Sequence, residues 1–317
     1  MLFRTLLLIN TLFSLCWLLP SSHWLLEVLQ NFGFIYFFTG LISLLLIFIL
    51  NKKITGFILV VSLLNITNVF YYGLIIKPFF WQIASIENAQ SKCSLEDFKF
   101  KLLYANVFAD GGDLKKLSEM INRDKPDVVA LLEVNEDRLN KLKLETDYTY
   151  NKKLFYENHY DVSLFSKFPI TDAKIESVGE DLRPHIIKKI DFPNGVKINL
   201  ILLHAMPPIS NDAIVHNKIL IRRLITMAKY TKGNYLLLGD FNATPFSSNI
   251  NMITDWAEFK HAAYGLGYYN SWNAFYPIST FMIDHIFTKG CIRASNFQKL
   301  EAFNSDHYPL KAEFILN

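Results

Sequence analysis

Tyr235-Leu236-Leu237-Leu238-Gly239-Asp240-Phe241-Asn242-Ala243-Thr244-Pro245 is the stretch on which the reading of this chain turns. Four apolar residues in a row fit a strand covered on both faces, and the acid and amide that follow end it with chemistry rather than packing. The same pattern recurs on either side. Val128-Val129-Ala130-Leu131-Leu132 ends on Glu133, and Ile201-Leu202-Leu203 ends on His204. Asp284 opens Asp284-His285-Ile286-Phe287, and Asp306-His307 precedes the last apolar run. One such residue alone would be an ordinary cap or a solvated side chain. Five strand ends that each deliver a polar, mostly ionisable group point to a metal-assisted phosphoryl-transfer site.

Charge divides the 317 residues in two. Residues 1–84 hold only Arg4, Lys52, Lys53, Lys77 and Glu27, whereas 85–317 hold the other 28 basic and 28 acidic side chains. The first part reads as a membrane segment with apolar stretches at 6–19, 32–50 and 54–76, and the second as a linker, 85–97, and a soluble domain, 98–317. The second and third stretches approach the roughly 20 residues that a helix needs to cross a bilayer. The first is shorter and also fits the apolar core of a signal peptide behind Arg4. The lack of a small-x-small cleavage site, and the two spans that follow, favour its retention, giving three transmembrane helices.

Arg4 and Lys52-Lys53 flank these spans on one side, while the loop 21–31 has no Lys or Arg. The positive-inside rule therefore predicts a multi-pass protein, of the bacterial inner membrane, with its carboxy-terminal domain outside the cytoplasm. Phe79-Phe80-Trp81 suit an interfacial belt where the chain leaves the bilayer. Cys93 and Cys291 are the two thiols of the soluble part. They either close one disulfide or stand as two unpaired small residues.

From residue 98 onward strands and helices take turns. Phe98 to Val107 begins with period-2 alternation and becomes continuously apolar, as an inner strand would. Gly111-Gly112-Asp113 supplies a turn and helix cap before Leu114, Leu117, Met120 and Ile121 at helical spacing. Further strands are expected at Val128–Leu132, Val162–Phe165, Ile186–Ile190, Val196–Leu203, Tyr235–Leu238, Ile283–Phe287 and Tyr308–Ile315, with a helix over Asp212–Lys229. Short turns such as Asp191-Phe192-Pro193-Asn194-Gly195 call for partly antiparallel pairing. The class is mixed α/β, two sheets face to face with outer helices.

In order and wording these motifs resemble the endonuclease/exonuclease/phosphatase superfamily, the DNase I-like enzymes. The resemblance is carried by Asn106 in Leu102-Leu103-Tyr104-Ala105-Asn106-Val107, Glu133 after Pro126-Asp127-Val128-Val129-Ala130-Leu131-Leu132, and Ser163-Leu164-Phe165-Ser166-Lys167-Phe168-Pro169-Ile170. His204, Gly239-Asp240-Phe241-Asn242, Ile283-Asp284-His285 and Ser305-Asp306-His307 complete it. It spans about residues 98–316, and the arrangement looks like a membrane-anchored bacterial branch.

The resemblance implies a four-layer α/β/β/α sandwich preceded by the transmembrane helices, and a divalent cation, usually Mg²⁺, with Mn²⁺ or another divalent ion as the alternative. Glu133 would hold the ion, with Asn106 and Asp306 near it. Asp240 would orient and deprotonate the attacking water. Asn242 and His204 would bind the phosphate oxygens, and His307, backed by Asp284, would face them too. Many family members carry Gln before the metal-binding Glu; here Leu132 stands there, which marks a subfamily.

The remaining candidates have plainer readings. His285 lies on the opposite strand face from Asp284 and reads as structural, Asp110 and Asp113 as turn and cap, His159 and His216 as surface. Tyr268-Tyr269, Trp272, Phe275 and Tyr276 either face substrate or pack beneath a long loop. The soluble domain balances 28 basic against 28 acidic residues, so it lacks the excess of positive charge that nonspecific duplex binding favours. The expected substrate is a phosphate ester, either nucleic acid or a phospholipid head group. Lipid or inositol phosphate phosphatase activity and a silent binding module are the alternatives.

Overall fold

A computed structural model describes residues 2–19, 22–50, 55–81, 98–155, 161–171, 185–276 and 281–316. The three apolar stretches become α1 (Leu2–Ser14, continued by a 3-10 turn over Leu15–Leu18), α3 (Gly33–Leu50) and α4 (Gly56–Phe80). Hydropathy did not mark α2 (Trp24–Gln30), a short helix that meets α3 at a bend of 57°. By length and composition α4 can cross a membrane, and α2 with α3 passes the same test as one broken span. The helix expected to end at Ile76 runs through Pro78 to Phe80.

Inside this bundle the polar side chains bond across helices. Asn65 Nδ2 donates to Thr11 Oγ1 at 2.7 Å, Trp17 Nε1 to Asn68 Oδ1 at 2.9 Å, and the Tyr72 hydroxyl to Ser14 O at 2.7 Å. Its outer surface is the reverse: Ile42, Leu45, Phe48, Leu63, Ile66 and Phe70 are all exposed.

The carboxy-terminal part is built on strands β1 (Phe98–Asn106), β2 (Val128–Leu132), β3 (Tyr150–Leu154), β4 (Val162–Ser166), β5 (Ile170–Thr171) and β6 (His185–Asp191). They are followed by β7 (Lys197–His204), β8 (Asn234–Asp240), β9 (Lys260–His261), β10 (Asp284–Lys289), β11 (Ile292–Lys299) and β12 (Leu310–Leu316). One sheet has the order β11-β12-β1-β2-β4-β3 and the other β5-β6-β7-β8-β10-β9. The continuous apolar runs follow from cover on both faces. Along β1, Phe100, Leu102 and Tyr104 point into the core between the sheets, while Leu103 and Ala105 pack under helices α5 (Leu114–Asp124) and α6 (Glu136–Leu142). Along β7 and β8, Leu200, Leu202, Leu236 and Leu238 face the same inner core. Ile201, Leu203 and Leu237 face helix α7 (Asn211–Tyr230). This is the four-layer α/β/β/α sandwich of the DNase I-like resemblance; the eight expected strands lie within a few residues of their ranges, whereas β3, β5, β9 and β11 are not among those expected.

Two elements depart from expectation. Phe79, placed in an interfacial belt, is buried in the inner core, with Tyr264, His261 and Tyr268 ringed edge-on around it at 5.0–5.1 Å; Phe80 and Trp81 remain exposed. Tyr268 likewise stacks on Phe34 of α3 at 4.6 Å, so it supports the bundle. The expected linker 85–97, with Cys93, and His159 lie outside the described residues. Cys291 is disulfide-bonded, and Cys16 is a free, buried thiol.

Candidate active site

Strand register brings the chemistry to one rim. In the parallel pair β7/β8, His204 lies opposite Asp240, and in the antiparallel pair β8/β10, Asp284 lies opposite Asp240. The parallel pair β1/β2 sets Asn106 beside Leu132, which puts Glu133 one residue beyond. Gly239 permits the approach of β8 to β7: with φ of +143°, a Cβ there would fall 1.9 Å from Leu203 O, so only glycine fits before the acid. Glu133 (φ 54°) and Asn242 (φ 49°) take up left-handed backbone directly after their strands. Asparagine tolerates that conformation; glutamate there is the kind of strain that clusters at functional sites.

Side-chain bonds then fix the groups. Asn106 Nδ2 donates to Glu133 Oε1 at 2.8 Å, and Ala109 N donates to Glu133 Oε2 at 3.2 Å. The Ala109 loop is itself held by Arg138, which donates to the carbonyls of Phe108, Ala109, Gly111 and Gly112. Asp240 Oδ1 accepts from Asn242 N at 2.8 Å, and its Oδ2 lies between His307 Nε2 at 3.7 Å and His204 Nε2 at 3.8 Å. His204 Nε2 is also 3.5 Å from Glu133 Oε1. His307 Nδ1 meets Asp284 Oδ2 at 2.7 Å, while Asp284 Oδ1 accepts from the Tyr104 hydroxyl at 2.6 Å. That last bond crosses from one sheet to the other. Ser305 accepts from His307 N at 3.0 Å and donates to Asn106 O at 2.9 Å, tying the last loop to β1. Trp272 Nε1 donates to Asp306 Oδ2 at 2.9 Å, whereas Asp306 Oδ1 is buried without a hydrogen-bond partner among the described residues.

The eight expected site residues therefore come together on one rim. Asn106 serves two ends: Nδ2 reaches Glu133, while Oδ1 accepts from Phe108 N in a turn at 3.1 Å. Asn242 commits one amide hydrogen to Ala205 O at 2.9 Å. His285 points away from the rim and lies 2.7 Å from Ala243 O, and Asp113 caps α5 through Lys115 N and Lys116 N. His216 is half-buried on α7. Phe275 and Tyr276 are exposed, and Trp272 is committed to Asp306. Sequence reading missed Tyr104, Trp272 as a partner of Asp306, Ser305 and Arg138. A tyrosine within a continuously apolar strand looks like core, and a lone arginine on a short helix looks like surface.

The electrostatics follow from burial and crowding of acids. Burial alone would lift Asp284, but the His307 charge and the bonds from His307, Ser271 and Tyr104 hold it below the usual carboxylate range. Burial would lower His307, yet the charge and hydrogen bond of Asp284 raise it to about 10. Burial, with the Asp284 charge added, pushes Asp240 well above the ordinary carboxylate value. Burial raises Glu133 as well, against bonds from Asn106 and Ala109. Carboxylates that strain towards protonation in one another's company, one with a buried oxygen left over, form a donor set suited to a hard cation. Asp240, Asp284 and His307 offer ligand atoms within 4.8 Å of one another. Both Asp284 oxygens are held in bonds of 2.6 and 2.7 Å, whereas the bonds to the Glu133 oxygens are longer, at 2.8 and 3.2 Å, and Asp306 Oδ1 accepts none among the described residues.

Comparison with known proteins bears on this geometry. The model of the Endonuclease/Exonuclease/phosphatase family matches residues 103–307, more than half of the chain. Among curated proteins none matches in sequence. Solved structures with the same fold include an endonuclease/exonuclease/phosphatase family protein from Bacteroides thetaiotaomicron, 18% identical with a TM-score of 0.58, covering 71% of this chain and 97% of that one. D. rerio TDP2 complexed with a single-strand DNA product is 18% identical with a TM-score of 0.56, over 68% and 98%. A mannosyl-6-phosphatase of B. thetaiotaomicron is 18% identical with a TM-score of 0.55, over 68% and 99%. At this identity the likenesses concern the fold.

Proposed function

The chain belongs to the endonuclease/exonuclease/phosphatase family and is a phosphoester hydrolase, and on that premise we propose that it is a membrane-anchored, divalent-cation-dependent phosphodiesterase. The observation that supports this most is the rim itself: Asp240 Oδ2 set between two imidazoles, beside Glu133 and the buried Asp306 Oδ1, which accepts no hydrogen bond among the described residues and lies 3.9 Å from His307 Nε2. Glu133 and Asp306, with Asn106 behind Glu133, would hold Mg²⁺ or a similar ion. Bound there, it supplies the positive charge that lets a nucleophile approach an anionic phosphate.

The chain's own groups account for the rest. Asp240 takes the proton of the attacking water at Oδ2, while Asn242 N keeps its Oδ1 in place. His204 and the free amide hydrogen of Asn242 donate to the non-bridging oxygens. His307, charged and oriented by Asp284, adds a donor at Nε2. Tyr104, whose hydroxyl burial keeps protonated, holds Asp284 from the opposite sheet.

The outward apolar faces of α3 and α4 suit hydrocarbon, and the loop charges suit a domain outside the cytoplasm. The substrate is a phosphodiester of nucleic acid or of a lipid head group. The head-group reading draws on one contact: the α2–α3 corner and Tyr72 of α4 touch the segment that follows Asp240, so a bundle seated in a bilayer would carry the rim near its surface. The test uses the full chain in detergent or vesicles with Mg²⁺ or chelator, on plasmid DNA and on phospholipid vesicles, with Asp240→Ala as control. Metal- and Asp240-dependent release from the vesicles supports the head-group reading. Nicking of plasmid alone assigns a nuclease, and equal rates in wild type and Asp240→Ala remove the enzyme.

A further inference from the structure

The segment Phe241–Ser247, which leaves β8 directly behind Asp240 and carries Asn242, is gripped by the helical bundle. At the corner between α2 and α3, Asn31 Oδ1 accepts from Thr244 N at 2.7 Å and from Thr244 Oγ1 at 3.0 Å. One turn earlier on α2, the buried Glu27 accepts from the Ser247 hydroxyl. Phe246 is buried edge-on against Tyr72 of α4 at 5.5 Å. A Cβ at Gly33 would fall 2.3 Å from its ring, so α3 begins in contact with that side chain.

The other flank of the segment rests on two buried imidazoles. Ala263 N donates to His261 Nδ1 at 3.0 Å, which leaves Nε2 as the protonated nitrogen of a neutral His261. His261 Nε2 then donates to His285 Nδ1 at 3.0 Å, and His285 Nε2 donates to Ala243 O at 2.7 Å. Phe79, from the end of α4, packs edge-on against His261 at 5.1 Å. Residues 243, 244, 246 and 247 are thus each fixed by the bundle or by a chain of bonds that leans on it. The Asn242 amide that holds Asp240 lies in the same segment.

We infer that Asn31 is a positioning residue of the active site: through Thr244, the α2–α3 corner holds the segment that sets the Asn242 amide and the Asp240 carboxylate. The bundle is then part of the catalytic architecture as well as an anchor. A misplacement of about 1 Å at Asp240 can lower the rate of a positioned reaction about 10²-fold.

The kinetic half of the test rests on the phosphodiesterase reading; the other half does not. Full-length wild type, Asn31→Ala, Asn31→Asp and Asp240→Ala are purified in detergent and assayed with bis(p-nitrophenyl) phosphate and Mg²⁺. Hydrogen exchange is followed in the peptide covering 241–247. Asn31→Ala is expected to lower kcat about tenfold with KM unchanged. Asn31→Asp, which keeps an acceptor oxygen for both Thr244 donors, should stay within about threefold of wild type, a rescue that simple loss of packing would not show. Exchange at the Thr244 amide should quicken about tenfold or more in Asn31→Ala and not in Asn31→Asp. Should Asn31→Ala not fold, Thr244→Val removes the hydroxyl donor alone and should lower kcat about threefold. Wild-type kcat and wild-type exchange in Asn31→Ala or Thr244→Val overturn the inference while leaving the hydrolase standing. If wild type hydrolyses nothing in the presence of metal, the phosphodiesterase reading falls and exchange alone decides the role of Asn31.

Discussion

Two regions where the protein buries polar side chains satisfy them differently. Within the helical bundle, Thr11, Ser14, Asn65, Asn68 and Tyr72 are neutral groups bonded mainly to one another. At the sandwich rim, Glu133, Asp240, Asp284 and Asp306 crowd ionisable oxygens around two imidazoles and leave Asp306 Oδ1 without a hydrogen bond among the described residues. Neutral donors matched to neutral acceptors make an adhesive between helices where water is scarce. Surplus negative charge held under strain is a different thing, because it can be relieved only by protons or a cation. Polar burial alone does not mark a site; unbalanced charge within it does.

The sharpest way to break that distinction is to neutralise the rim. Asp240→Ala should reduce hydrolysis by about 10²–10⁴-fold, the range for a lost general base. Glu133→Gln should do as much by a second route visible without turnover. Wild type should gain about 2.7 kcal/mol of stability at Mg²⁺ concentrations near a hundredfold of its dissociation constant. Thermal unfolding of Glu133→Gln with and without Mg²⁺ should show that gain removed. An undiminished Mg²⁺ shift in this variant would place the ion elsewhere.

Behind the rim the buried imidazoles give a smaller, pH-dependent effect. Burial depresses His285 to about 4 and His261 well below its ordinary value. The unfolded chain takes up these protons near pH 6.5 and the folded chain only near pH 4 for His285, so stability is present above about 6.5 and is lost as pH falls towards 4. For His285 alone the loss is about 3 kcal/mol, taking about 1.4 kcal/mol per unit. Asp240 and Glu133 are shifted upwards and pull the other way. The measurement is therefore a difference: denaturant unfolding of wild type and His285→Gln from pH 7 to 4, in which the variant should lose less on acidification. Parallel curves would mean that the imidazole is not titrating against burial.

Tyr104→Phe comes next. It removes the donor to Asp284 Oδ1 without changing shape, and a bond to a charged group contributes about 2 kcal/mol. Unfolding should show that loss. Activity should fall less than in Asp240→Ala, because His307 still bonds Asp284. An unchanged midpoint would mean that water replaces the hydroxyl in the inner core.

These cases also separate what the sequence discloses from what it conceals. The rim is legible because its contributors adjoin apolar runs: Glu133, His204 and Asp240 follow them, while Asp284 and Asp306-His307 stand before them. Glu133, His204 and Asp240 need no knowledge of one another to be noticed. The α2–α3 corner offers nothing comparable. Asn31 and Thr244 are 213 residues apart, and a short amide in a bend has no periodicity to betray its partner. Phe79 misleads for a related reason: three aromatics at the end of an apolar helix look the same whether they meet lipid head groups or a protein core. Tyr104 hides because a continuously apolar inner strand is expected to hold an aromatic ring there. Patterns repeated along the chain are readable, whereas a single bond between distant segments is not.

The smallest effect tests the other side of the comparison. Asn68→Leu takes away the acceptor of Trp17 Nε1 and the donor to Ser14 Oγ, and puts an apolar side chain in the bundle interior. Interhelical polar contacts in membranes contribute about 0.6–2 kcal/mol, so unfolding of the full chain in mixed micelles should move by roughly 1 kcal/mol. Hydrolysis at saturating substrate should stay within about twofold, because the grip on Thr244 comes from the α2–α3 corner and Asn68 lies lower in the bundle, against α1. If a folded Asn68→Leu protein were to lose most of its activity, the neutral interior would have to be counted with the rim. The bundle would then reach the active site through its whole depth, as well as at the corner where Asn31 stands.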